Sequence, residues 1–151
     1  MKQLILLTAI IISGTTVYSA EPAPEEDYQI LQGKWIRSDQ NSKGSPLRIE
    51  QKFTNKISTV SIYDRNGKLL HSHQAKFRLQ RTPDTSLFTF FDLEVLAGPN
   101  KGRKQKTPLT YVYRVKDNRF IQVEGILNGD KSPPRLLIWW KVQAPNLPQD
   151  T

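Results

Sequence analysis

His71 and His73 are separated by one residue within an alternating run, so on a strand both imidazoles would share a face and could point at one metal ion. Two ligands fall short of an ordinary site, which needs at least three protein groups. Asp92 and Glu94 carry the same spacing in another run and could complete the set if the two strands met. The same carboxylates could act as an acid and base pair, but that chemistry requires both to face one bond at a defined separation. Carboxylates two apart on a strand are ordinary polar positions, and His71 and His73 stand as weak metal candidates. The chain has no Cys, no Gly-x-Ser-x-Gly turn and no phosphate-binding glycine loop. The expectation is a non-enzymatic protein without a cofactor, a metal-dependent hydrolase being the least favoured reading.

Binding offers more material than catalysis. Lys101, Arg103, Lys104 and Lys106 crowd into one turn-rich segment, either as a solvated loop or as an attractor for an anionic surface. The whole chain has 22 Lys and Arg against 14 Asp and Glu, a formal charge of +8, which favours anionic partners without choosing among them. No base-stacking aromatic accompanies the basic segment, so nucleic acid is not an expected partner. Trp139 and Trp140 are adjacent, which on a strand sends one indole inward and the other outward. Phe77 and Leu79 share a face, as do Tyr111 and Tyr113; these four either line a cavity for a small apolar or amphipathic ligand or fill it.

The elements that must position these residues read as strands. From Lys34 onward, alternation with period two is broken by turn residues, giving eight runs near 34–39, 46–54, 57–64, 68–80, 86–96, 109–116, 119–127 and 135–143. Asp64-Arg65-Asn66-Gly67 and Asp117-Asn118 supply residues that tolerate positive φ in tight hairpins. Gly98 to Gly102 and Asn128-Gly129-Asp130 break the pattern elsewhere. Short connections imply antiparallel neighbours. The expected fold is all-β, an antiparallel eight-stranded up-and-down barrel preceded by a short helical turn, in which Asp27 caps residues through Leu31 and Gly33 ends them. A two-sheet sandwich is the alternative.

The ends of the chain differ in character from this core. Residues 1–20 combine Lys2, an apolar run from Leu4 to Ile12 and a small, polar stretch to Ala20, the pattern of a secretory signal peptide. The apolar run is too short for a confident membrane span, which takes about 20 residues. The protein is therefore expected to be exported, periplasmic or secreted, with no transmembrane span after cleavage. Residues 21–27 read as a flexible, acidic, Pro-containing leader that buries nothing, 28–143 as one barrel domain and 144–151 as a Pro-containing tail. Without Cys, neither disulfides nor a lipid anchor on a new N-terminal Cys can form.

Leu31-Gln32-Gly33-Lys34-Trp35 resembles the Gly-x-Trp opening of lipocalins, with Gly33 and Trp35 at the motif positions. The chain is more similar to the planctomycete-type uncharacterised secreted lipocalin-like domains, which open on Leu-Gln-Gly-x-Trp. Asp92-Leu93, the Gly98-Pro99-Asn100-Lys101-Gly102 turn, Tyr113-Arg114-Val115, Phe120-Ile121-Gln122-Val123 and Pro134-Arg135 extend the resemblance along the chain. It implies a lipocalin-like barrel closed at one end by Trp35. In larger lipocalins an arginine near the end of the last strand covers that Trp, whereas Arg135 here opens the strand. The resemblance implies a small-molecule binding module. The alternative is a cell-envelope interaction module that works through its outer face and the basic loop.

Overall fold

A computed structural model describes residues 19–127 and 133–143; the expected signal segment up to residue 18, the Asn128-Gly129-Asp130 break and the tail 144–151 lie outside the described residues. In chain order the elements are β1 (Glu21–Pro22), α1 (Glu25–Leu31), β2 (Gly33–Gln40), β3 (Pro46–Thr54), β4 (Ile57–Tyr63), β5 (Leu69–Arg81) and β6 (Ser86–Ala97). They continue with β7 (Lys104–Gln105), β8 (Leu109–Lys116), β9 (Arg119–Glu124) and β10 (Arg135–Lys141). Strands β2 to β6 and β8 to β10 pair antiparallel in order, and β10 returns to β2, so the sheet is a closed eight-stranded barrel rather than a sandwich. The seam is short: Trp140 pairs with Ile36 and Lys141 with Trp35. The Val142 N–H extends it by donating to the Lys34 carbonyl at 2.8 Å.

The expected turns form for the expected reason. Asp64 Oδ1 accepts from the backbone N–H groups of Asn66 and Lys68, both at 2.9 Å, and Gly67 takes φ +80°. Asp117 and Asn118 take φ 51° and 58° between β8 and β9, a conformation that Asp and Asn tolerate better than most residues.

Two expectations at the N-terminus need correction. The acidic leader does not stay apart from the domain: Glu21 and Pro22 add a short strand beside Arg81 and Gln80, and Ala23 is buried. Backbone pairing with the free edge of β5 beyond β4 holds it there, a force that composition does not reveal. Asp27 does not cap the helix, which begins two residues earlier after Pro24. Its carboxylate instead accepts from Arg81 Nε at 2.7 Å, and tethers α1 to the end of β5.

Helix α1 closes one end of the barrel. Trp35 Nε1 donates to the Leu31 carbonyl at 2.8 Å, and the Tyr28 hydroxyl accepts from the Leu79 N–H at 2.8 Å. Gln32 donates to the carbonyls of Tyr28 and Asn55, both at 3.0 Å, so the helix is stitched to the β3–β4 turn as well. Above this floor Phe53, Phe77, Phe88 and Phe120, from four different strands, meet in the centre. Phe53 lies 5.1, 5.8 and 5.7 Å from Phe77, Phe88 and Phe120, and Phe77 stacks on Phe88 at 5.0 Å. Edge and offset contacts of this kind add to the burial of large apolar area. Phe88→Ala is expected to lower unfolding free energy by about 3–5 kcal/mol in a denaturant titration. A loss below about 1 kcal/mol would mean that the rings do not form the packed centre.

Candidate functional site

The barrel interior is mainly apolar, with a few polar side chains among its inward residues. Toward α1 it is aromatic and filled, and Phe77 and Leu79 are fully buried there against Tyr28, Phe53 and Phe88. Tyr111 and Tyr113 are also inward and buried, with Tyr111 5.8 Å from Phe90 and Tyr113 6.1 Å from Phe88. Gly33 takes φ +102°, which glycine alone adopts freely, and delivers Trp35 into the floor. The cation over Trp35 is Lys141, at the end of the last strand, 5.2 Å from the ring and donating to the Ile30 carbonyl at 2.9 Å. Sequence reasoning looked for an arginine there and passed over this lysine.

Around and beyond the rings, polar side chains join inward apolar ones such as Ile49, Val60, Ile62 and Leu137. Gln51 donates to Ser58 Oγ at 3.0 Å, and Trp139 Nε1 donates to Gln122 Oε1 at 3.0 Å. Arg37 stacks 4.9 Å from the Trp139 ring and donates to Asp39 at 2.5 Å. This bond holds the Asp39 carboxyl below its usual range, and Arg135 adds a second cation 3.4 Å away. Three buried polar atoms of this belt, Gln51 Oε1, Gln122 Nε2 and Arg37 Nε, have no partner among the described residues.

His71 and His73 face inward at the same rim, with Nε2 of one 3.1 Å from Nδ1 of the other. Strands β5 and β6 do meet, but His73 pairs with Val95 while Gln74 pairs with Glu94, so the imidazoles and the Glu94 carboxylate lie on opposite faces. Asp92 takes φ 53° at an irregularity in the β5–β6 pairing and bonds Lys76 at 2.9 Å. Among the described residues no three His, Asp or Glu side chains gather as a metal set. The basic segment packs beside this rim. Gly98, at φ +102°, has no room for a side chain, since a Cβ there would sit 2.7 Å from the Leu70 carbonyl oxygen. Lys101, Arg103, Lys104 and Lys106 are all exposed, and Lys104 approaches Glu94 at 3.8 Å. Lys104 and Lys106 border a cavity of about 330 Å³ over Ala75, Ile57 and Leu93.

A larger cavity, about 500 Å³, lies on the outside of the barrel at the α1 end. The β5–β6 turn from Arg81 to Ser86 forms one bank, and Val112, Ile121 and Val123 supply an apolar floor. It shares Arg81, Ser86, Tyr113 and Arg114 with a second cavity of about 180 Å³ that reaches Asp27 and Ile30, so the two form one groove. Arg81 is neutralised by Asp27. Burial, followed by the Asp27 charge, pushes the Tyr113 phenol above its ordinary range, so this hydroxyl stays protonated. Arg114 is exposed and has no ion pair among the described residues. The groove thus combines an apolar floor, hydroxyl groups and an uncommitted cation. Along β6 it lies roughly 25 Å from the basic loop, about eight residues of extended chain.

Comparison of the chain with protein-family models, with curated proteins and with solved structures finds no match in any of the three. The groove was missed in the sequence because its floor comes from outward residues of β8 and β9, whose alignment depends on register. The visible signal was the valine and isoleucine at outward positions, opposite the buried Tyr111, Tyr113, Phe120 and Gln122.

Burial, with the neighbouring His71 charge, depresses His73 from 6.5 to about 4. The unfolded chain therefore takes up a proton at a higher pH than the folded chain. This linkage leaves stability intact above about 6.5 and removes it as pH falls toward 4. An NMR titration should place the His73 midpoint near 4, and His73→Leu should flatten the stability loss in that window. A midpoint near 6.5 would show that the ring is solvated.

Proposed function

We propose that this chain is an exported, non-enzymatic binding module of lipocalin-like architecture whose principal binding surface is the outer wall of its barrel. The observation that carries this reading is the meeting of four phenyl rings at 5.0 to 5.8 Å in the barrel centre, which leaves a ligand no room beside Phe77 and Leu79. The space for a partner is instead the external groove, where Arg114 stands beside Val112, Ile121 and Val123. An anionic, partly apolar partner fits it: the cation answers its charge and the floor its hydrocarbon. The basic character of the chain and its signal-like first segment support an anionic envelope component as the natural class of partner. The Leu-Gln-Gly-Lys-Trp opening supports kinship with the planctomycete-type secreted lipocalin-like domains.

A second reading keeps a small amphipathic ligand inside the barrel, and the unpaired Gln51, Gln122 and Arg37 atoms favour it. A ligand there would lie beyond the four rings, beside these polar atoms.

Titration with decanoate below its micellar concentration, followed by amide shifts, separates the two. The outer-wall reading expects perturbation centred on Val112, Ile121 and Val123 and at least about tenfold weaker binding in Arg114→Glu, a change of roughly 1.4 kcal/mol. Shifts centred on Gln51 and Gln122 would replace it with the interior reading.

A further inference from the structure

The groove is one corner of a larger surface. Register sets the outward residues of β8, β9 and β10 in three rows: Val112, Val123 and Leu136; then Arg114, Ile121 and Ile138; then Lys116, Arg119 and Trp140. Alternation makes every one of these positions outward, because their strand neighbours Tyr111, Tyr113, Phe120, Gln122 and Trp139 are buried in the barrel. Six of the nine are apolar, three are cations and none is a carboxylate. Along β10 the exposure is high, with Leu136 61%, Ile138 38% and Trp140 53% exposed. Asp117 in the adjoining turn lies 3.6 Å from Arg119. Arg114 and Lys116 have no ion pair among the described residues.

We propose that this wall docks on an anionic phospholipid surface, an inference that rests on the outer-wall reading and names its partner. Leu136, Ile138 and Trp140 enter the head-group layer, where tryptophan is favoured, while Arg114, Lys116 and Arg119 meet lipid phosphates. Charge decides against a second copy, since an isologous contact would bring the three cations of one wall onto a partner wall that has no carboxylate among its nine positions. A hydrated acidic polysaccharide would satisfy the cations and Trp140 but leave Leu136, Ile138 and Ile121 uncovered. A lipid surface satisfies both halves of the pattern.

The test uses the chain from Glu21 to Thr151, which contains every strand of the closed barrel and lacks the apolar first segment. Co-sedimentation is measured with phosphatidylcholine vesicles and with vesicles that also contain phosphatidylglycerol. Binding is expected only with the anionic lipid and should weaken with added salt. Arg114→Gln and Lys116→Gln should each lower the partition coefficient about fivefold, from about 1 kcal/mol per cation. Binding should shift tryptophan emission to the blue through Trp140, because Trp35 and Trp139 are already buried, and Trp140→Phe should bind without that shift. The double variant Leu136→Ser, Ile138→Ser should lose binding with an unchanged unfolding transition. Failure to bind anionic vesicles, or binding that the wall variants leave unchanged, overturns the proposal. If decanoate still perturbs Val112 and Ile121 while vesicles fail, the groove reading survives alone; if both fail, both fall.

Discussion

Four phenylalanine rings converge on one another across the barrel, and most other features of the molecule are arranged around that fact. Phe53, Phe77, Phe88 and Phe120 come from strands distributed around the wall, so their contacts fix the barrel diameter at the α1 end. With no disulfide available, this cluster and the backbone ladder must hold the fold. The floor of α1, Trp35 and Lys141 seals it from below. A barrel that spends its interior on packing can still bind, but it does so with the surfaces that packing leaves over.

Those remaining surfaces are chemically distinct. The rim away from α1 collects the His71–His73 pair, the Arg37–Asp39–Arg135 bonds and the exposed basic loop, where Lys104 alone of the four cations has an ion pair among the described residues. The opposite end carries an apolar groove and wall in which cations outnumber their partners. Matched charges on a surface contribute little beyond solubility. Unmatched cations beside exposed hydrocarbon are harder to account for without a partner, and the hydrocarbon of Leu136, Ile138 and Trp140, rather than charge alone, points the functional reading toward β8, β9 and β10.

The sequence revealed the strands well because each is a two-faced element in which alternation directly reports which side is buried. His71 to Gln80 and the Trp139–Trp140 pair are examples: Ala75, Phe77, Leu79 and Trp139 are inside and Trp140 is outside. Features that depend on register between strands were not legible. Asp92 and Glu94 could be imagined beside the histidines until the β5–β6 pairing placed Glu94 on the other face. The rows of outward residues needed the β8–β9 and β9–β10 registers. The leader was misread because its attachment is a backbone ladder at Glu21 and Pro22, together with the packing of a single small residue, Ala23.

The seam between β2 and β10 has two register pairs, fewer than any other junction in the barrel, and it joins positions a hundred residues apart, Ile36 and Trp140. Every other junction links consecutive barrel strands and can form as the chain emerges. The seam cannot, because it needs both ends at once. Until β10 arrives, β2 and β9 present unpaired edges of the kind that recruit other chains. A ribosome that still holds the last strand therefore leaves the barrel open along this one seam, and the arrival of β10 is the event that makes the molecule a cylinder.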